Sequence, residues 1–177
     1  MFKSQKTICE KKDRKKGFTI LETLVAVAIL ALAITGPLEL AFKGISYTKL
    51  SQNQIIASYL AQEGMELIRN IRDSNKINHD PNWLNNLSNC ISPNLCYVDA
   101  QASSLSPVVC MGNCPIIKYS DSNGYNYSSV NPTIFTRNIS IDNLVNNIEA
   151  RVRVSVVWEE RIGQRRVELE ETIYNIP

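Results

Sequence analysis

The sequence is poor in the residues from which enzyme sites are commonly built. It has a single histidine among 177 residues, and this His79 stands in the polar run NKINHDPN, which is typical of a solvated loop. It has no pair of histidines with metal-ligand spacing, no G-x-S-x-G nucleophile motif and no phosphate-binding glycine motif. Nothing in the sequence therefore argues for catalysis, a cofactor or a metal, and we expect a protein that is not an enzyme.

Acidic residues are scarce at the N-terminus. The first 16 residues hold seven of the 19 basic residues but only two of the 17 acidic ones, Glu10 and Asp13. The rest of the chain is net acidic, so the small overall positive charge belongs to this leader and gives no support for nucleic-acid binding. A basic leader before an apolar run predicts insertion into the cytoplasmic membrane, with the N-terminus inside and the C-terminal part outside.

Charge is almost absent from the apolar run, residues 18–38, where Glu22 is the only ionisable side chain. A helix of 21 residues spans about 30 Å, the thickness of a bilayer core. The alternative is a cleaved secretory signal with a small-residue site at Ala31-Leu32-Ala33. The long leader, the length of the run and above all Glu22 weigh against that alternative.

The pattern after Pro37 stays helical but becomes one-sided. Apolar residues recur at three- and four-residue steps, with Lys, Gln and Glu between them. We predict one long helix over residues 18–73, transmembrane over 18–38 and amphipathic over 39–73. Its expected weak points are three: a bend at Gly36-Pro37, a second at Gly44, and Gly64.

Three alternating segments near the C-terminus predict an antiparallel sheet over residues 133–177. They are Thr133–Asp142, Glu149–Glu159 and Arg165–Tyr174, and the last two form a hairpin. Arginines on one strand of the hairpin face glutamates on the other, which predicts cross-strand ion pairs. One face of the sheet needs a cover, and the amphipathic half of the helix is the available partner. The predicted fold class is α+β.

Cysteines are few, and four of the five lie in the Asn- and Ser-rich region 74–132, where we predict mostly loop with short strands at Cys96–Asp99 and Pro115–Tyr119. An even number of cysteines outside the cytoplasm indicates two disulfides. Three connectivities are open for these four residues, and we favour the local pairs Cys90–Cys96 and Cys110–Cys114, each of which closes a short loop. Zinc is the alternative, but the set has no CxxC pair. The four residues are Cys90, Cys96, Cys110 and Cys114.

The segment KKGFTILE, followed by the apolar run, resembles the N-terminus of type IV prepilins and type II secretion pseudopilins. The shared features are the basic Lys15-Lys16, then Gly17, Phe18 and a glutamate, Glu22, at the fifth position of the mature chain. A long helix followed by a sheet is similar to the pilin fold. The segments ALAITGP and YLAQEGMELIRNIRD are similar to minor pilins.

The resemblance implies that residues 1–17 are a leader removed by a prepilin peptidase, which cuts between Gly17 and Phe18 and methylates the new amino group of Phe18. Other implied partners are further pilin subunits, an assembly platform and the cytoplasmic membrane. Glu22 is expected to pair with the ammonium group of a neighbouring Phe18 and to set the register between subunits. The alternative is an extracytoplasmic binding module, anchored or secreted by an ordinary signal sequence.

Overall fold

A computed structural model describes residues 17–145, 147–161 and 163–175 of the chain. The predictions made for the basic leader, including Lys15 and Lys16, lie outside these residues. The chain divides into two compact units, of which the first ends at Tyr47 and the second begins at Thr48. The second unit contains all of the β-structure and the buried core.

Helix α1 extends from Ile20 to Ile77. The prediction that it ends at residue 73 was wrong, because a tertiary contact holds its last turn. Asn75 is buried, and its side-chain amide donates hydrogen bonds to the carbonyl oxygens of Trp83 at 3.1 Å and Asn85 at 2.7 Å. These bonds fix the connection that follows the helix against the helix itself.

The end of α1 is closed by a two-bond C-terminal cap. The backbone N–H of Asp80 donates to the carbonyl oxygen of Asn75, and that of His79 donates to the carbonyl oxygen of Lys76. His79 has φ of 53°, the left-handed conformation that this cap requires. The only histidine of the sequence is thus an exposed capping residue.

The glycines and the proline of α1 do not interrupt it. The helix is continuous through Gly36, Pro37 and Gly44. Gly64 is buried against the sheet, and a Cβ atom placed there would lie 2.9 Å from both Arg137 Cδ and Val154 Cγ1. Glycine therefore lets the helix and sheet backbones approach closely at this point.

Seven antiparallel strands form one sheet within the described residues. The central strand is β5, which pairs with β6 along one edge, and β6 pairs with β7. On the other edge β5 pairs with two short hairpins, β1–β2 and β3–β4. Their bounds are β1 Cys96–Tyr97, β2 Val108–Val109, β3 Ile116–Ser120, β4 Gly124–Asn126, β5 Asn131–Val145, β6 Glu149–Glu160 and β7 Gly163–Tyr174.

The sheet is larger than the sequence indicated. The three long strands exist where alternation predicted them, but β5 starts at Asn131 and ends at Val145, beyond both predicted ends. The short strands of the cysteine region join the same sheet because β5 is long enough to accept two hairpins side by side. Arg153 lies within salt-bridge distance of Glu168 and Glu170, and Arg151 within that distance of Glu170, which are the cross-strand pairs expected.

The core of the second unit lies between one face of the sheet and the C-terminal half of α1. Alternate residues of β6 point into it, and a short 3-10 helix, Ser88–Cys90, covers one end. The predicted α+β layout, one long N-terminal helix followed by an antiparallel sheet, is confirmed. Core residues include Leu60, Met65, Ile68, Trp83, Leu87, Phe135, Ile139, Val152, Val154, Val156 and Trp158.

Candidate functional site

The predicted cleavage site precedes α1 directly. Gly17 and Phe18 are non-helical and exposed, and the side chain of Phe18 is 76% accessible. A Cβ atom at Gly17 would meet no other heavy atom within 4 Å. The peptide bond between Gly17 and Phe18 is therefore accessible to a peptidase, because it lies outside the hydrogen-bonded helix.

Thr19 caps the helix, a role that the sequence reading missed. The backbone N–H of Glu22 donates to the Thr19 hydroxyl at 3.3 Å, and the N–H of Thr23 donates to the Thr19 carbonyl oxygen at 3.2 Å. The spacing Thr19-x-x-Glu22 is the signal that could have identified it, since it is the sequence pattern of a capping box. Glu22 thus stands in the first turn, where the partial positive charge of the helix N-terminus favours a carboxylate.

The carboxylate of Glu22 itself has no hydrogen bond and no ion pair among the described residues. The nearest carboxylate along the helix, Glu39, differs in this respect, because it forms a salt bridge of 2.7 Å with Lys43.

The N-terminal part of α1 exposes a continuous apolar surface. Every residue from Gly17 to Lys49 is exposed, and by length and composition α1 qualifies as a helix that could cross a membrane. Large apolar residues on this surface include Ile20, Leu21, Leu24, Val27, Ile29, Leu32, Leu38, Leu40 and Phe42.

The four cysteines of the second unit form two local disulfides, Cys90–Cys96 and Cys110–Cys114. Cys90 and Cys96 are fully buried and belong to the core, whereas Cys110 is partly accessible. Because all four sulfurs are bonded in pairs, none is a thiolate that could bind zinc. Among the residues described, no group of three or more His, Cys, Asp or Glu side chains could hold a metal ion.

A buried arginine, Arg137, connects three segments of the second unit. Its side chain is 2% exposed and donates to the Leu60 carbonyl oxygen at 3.0 Å and to the Glu63 carboxylate at 2.6 Å, both on α1. It also donates at 2.8 Å to the carbonyl oxygen of Val98, which follows β1. Charge-assisted hydrogen bonds of this kind hold the helix, the central strand and the cysteine region together.

Tyr127 packs beside this arginine, with the Arg137 guanidinium carbon 5.9 Å from its ring centroid. Burial raises the pKa of Tyr127, and the positive charge of Arg137 opposes that rise. Alternate residues of β5 face the core, and Arg137 stands between Phe135 and Ile139 on that apolar face. This position is the sequence signal that could have predicted a buried arginine.

Comparison with known proteins places the N-terminal segment in a recognised class. Residues 12–36 match the prokaryotic N-terminal methylation motif, the signature of type IV prepilins and pseudopilins. The match includes Gly17, Phe18 and Glu22. Searches among curated proteins and among solved structures found no match to this chain.

These features together fit a pilin-like subunit: a methylation motif, one long helix with an apolar N-terminal part, and an antiparallel sheet. This motif implies processing by a prepilin peptidase and assembly with other pilins. Proteins that carry it are structural rather than catalytic, and the exposed apolar helix indicates membrane anchoring.

Proposed function

We propose that the chain is a minor pilin or pseudopilin, a structural subunit of a type IV pilus or of a type II secretion-like filament. One observation carries this proposal: the methylation motif at residues 12–36 runs into the apolar N-terminal part of α1, and every described residue from Gly17 to Lys49 is exposed. A surface of this kind is stable in a bilayer or against other apolar helices, and unstable in water. The subunit is stored in the cytoplasmic membrane, N-terminus inside, and then moves into a filament.

In this proposal residues 1–17 are removed by a prepilin peptidase, and the amino group of Phe18 is methylated. Residues 18–38 cross the membrane before assembly and line the filament core afterwards. The exposed, non-helical setting of Gly17 and Phe18 supports this assignment, because a peptidase needs an extended and accessible bond.

Glu22 pairs, in this proposal, with the Phe18 ammonium group of a neighbouring subunit. A carboxylate in an apolar segment is costly unless it is paired, and Glu22 has no partner among the described residues of its own chain. A charge pair in a medium of low dielectric constant is strong, and its energy weakens as the two groups move apart. Formation of the pair therefore fixes the axial register between two helices, since the apolar contacts along the rest of their length are not directional.

The test is replacement of Glu22 by Ala and by Gln in the producing cell. We expect both variants to be made and inserted normally. We also expect them to be missing from filaments sheared off the cells, or to leave filament assembly without initiation. Glu39→Ala is the matched control, since Glu39 is an exposed glutamate of the same helix with a partner of its own, Lys43. Normal entry of Glu22→Ala into filaments would refute the pairing role of Glu22.

The mature N-terminus tests the class of protein separately. Mass spectrometry of the purified protein is expected to find a chain that begins at N-methylated Phe18. A chain that begins at or near Ile34 would instead identify an ordinary signal sequence, and the protein would then be an extracytoplasmic binding module.

A further inference from the structure

An open cleft of about 370 Å³ lies at the tip of the β3–β4 hairpin, beside the start of β5. One wall is the end of β3 with the turn that follows, and the other is the segment between β4 and β5. The cleft is within the second unit and is formed entirely by described residues. Its lining residues are Tyr119, Ser120, Ser122, Asn123, Ser128, Ser129, Val130 and Asn131.

The two walls are held in place by contacts that do not involve a ligand. Tyr119 on β3 pairs in register with Asn131 on β5. Asn126 is 2% exposed, and its side-chain oxygen accepts hydrogen bonds from the backbone N–H groups of Ser128 at 3.0 Å and Ser129 at 2.7 Å. The cleft is therefore organised before binding, which lowers the entropic cost of taking up a ligand.

The lining offers hydroxyl and amide groups and no charge. Lys118 and Asp121 are the charged residues nearest in sequence, and neither lines the cleft. The side chains of Asn123, Ser129 and Asn131 make no hydrogen bond within the part of the chain that the structure describes, so their polar groups are available to a ligand. An anionic or cationic ligand would find no counter-charge here.

Tyr119 supplies an aromatic surface at the edge of the cleft. Its side chain is 41% exposed, and its ring packs against the ring of Tyr125 with centroids 5.1 Å apart. A tyrosine that is supported on one side offers a large rigid contact area with little loss of conformational entropy. Surfaces rich in Tyr, Ser and Asn combine such contact area with adaptable hydrogen bonding.

We propose that this cleft binds a neutral carbohydrate. A sugar ring carries hydroxyl groups around its rim, which match the serine and asparagine groups, and C–H groups on its faces, which pack on an aromatic ring. The absence of charge from the lining favours a neutral saccharide over an acidic one, and over nucleic acid, whose phosphates require basic residues. This binding does not depend on the proposed role of the chain in a filament.

Binding can be measured on the full chain in lipid nanodiscs. Nanodiscs avoid detergents with sugar headgroups, which would compete with the probe for the cleft. The probe is an array of neutral, sialylated and sulfated oligosaccharides, followed by saturation-transfer NMR with neutral trisaccharides that bind. We expect binding to one or more neutral glycans, with magnetisation transfer to sugar ring protons. An array with no bound glycan, or binding confined to the acidic glycans, would overturn the proposal.

Variants assign the binding to the cleft. We expect Tyr119→Ala to weaken binding about tenfold through loss of the ring, while Tyr119→Phe keeps most of the affinity. Tyr174→Ala is the matched control, since Tyr174 is 51% exposed near the end of β7 and outside the cleft. Saccharide binding that is unchanged in Tyr119→Ala and in Asn131→Ala would show that the cleft is not the site. If these two variants affected only capture of a protein partner, the carbohydrate assignment would be wrong.

Discussion

Arg137 on β5 lies directly against Gly64 on α1, and a side chain at position 64 would have to occupy the space that Arg137 Cδ now fills. The contact brings the Arg137 guanidinium within hydrogen-bond distance of both Leu60 and Glu63, one turn and one residue away on the same helix. The helix and the sheet of the second unit are thus joined by a buried polar cluster as well as by apolar contacts.

Replacement of Gly64 by Ala is expected to destabilise the second unit by about 1–3 kcal/mol, because the new methyl group overpacks the contact with Arg137 and Val154. Chemical denaturation followed by circular dichroism measures the change. Gly36→Ala is the matched control, because a Cβ atom there meets nothing within 4 Å and alanine favours the helix. Equal stability of the Gly64→Ala variant and the parent would contradict the close contact.

Replacement of Arg137 by Met is expected to cost about 3 kcal/mol, since the variant loses its bonds to Val98, Leu60 and Glu63 together. Glu63→Gln should cost less, because Glu63 is partly exposed and its amide can still accept a hydrogen bond. A double-mutant cycle measures the pair, and we expect a coupling energy of about 1 kcal/mol or more. A coupling near zero would mean that the ion pair is irrelevant to stability.

The two disulfides are expected to differ in their response to reductant. Each closes a short loop, which stabilises the chain by about 2 kcal/mol in the loop-entropy treatment. Cys90 and Cys96 are completely buried, whereas Cys110 is partly accessible. Alkylation and peptide mass spectrometry during titration with a thiol should therefore detect free Cys110 and Cys114 first. Earlier release of Cys90 and Cys96 would contradict the burial that we describe.

Glu160 is expected to titrate below the ordinary range for a glutamate. Its carboxylate accepts hydrogen bonds from the Asn53 amide at 2.7 Å and the Trp158 indole at 3.0 Å, and these bonds lower its pKa. Because the pKa is lower in the folded state, the stabilisation is present at pH above the unfolded value and is lost as pH falls through the folded value.

Carbon-detected NMR titration of Glu160 measures this pKa directly. The variants Asn53→Ala and Trp158→Phe should each raise it towards the ordinary value, since each removes one donor. A Glu160 midpoint that neither variant changes would exclude the two hydrogen bonds as the cause.

Much of the architecture follows from local sequence pattern. The apolar run, the basic leader and the motif around Gly17 predict a membrane-inserted, pilin-like helix, because length, hydropathy and short motifs are local properties. Alternation places the three long strands for the same reason, since successive side chains of a strand point to opposite faces. The two short cysteine loops are also local in sequence.

Tertiary contacts decided the rest. The helix continues to Ile77 because Asn75 bonds to residues that come after the helix, and no pattern within residues 73–75 reports those bonds. The inclusion of four short strands in the sheet depends on the pairing of β1 and β3 with β5, to which β2 and β4 are joined through their hairpins. Cys96 of β1, for example, pairs with Ile139, which lies far away in sequence.

Gly64 and Arg137 show most clearly what tertiary structure adds to the sequence. By sequence alone Gly64 is a weak helix former and Arg137 is a charged residue on a strand. The structure explains each by the other, because the missing side chain at position 64 leaves the space that Arg137 Cδ occupies. The sequence by itself indicated an apolar N-terminal segment with a methylation motif, one long helix and an antiparallel sheet after it. The packing of helix on sheet decided which polar residues the core contains, since burial and hydrogen bonding depend on neighbours distant along the chain.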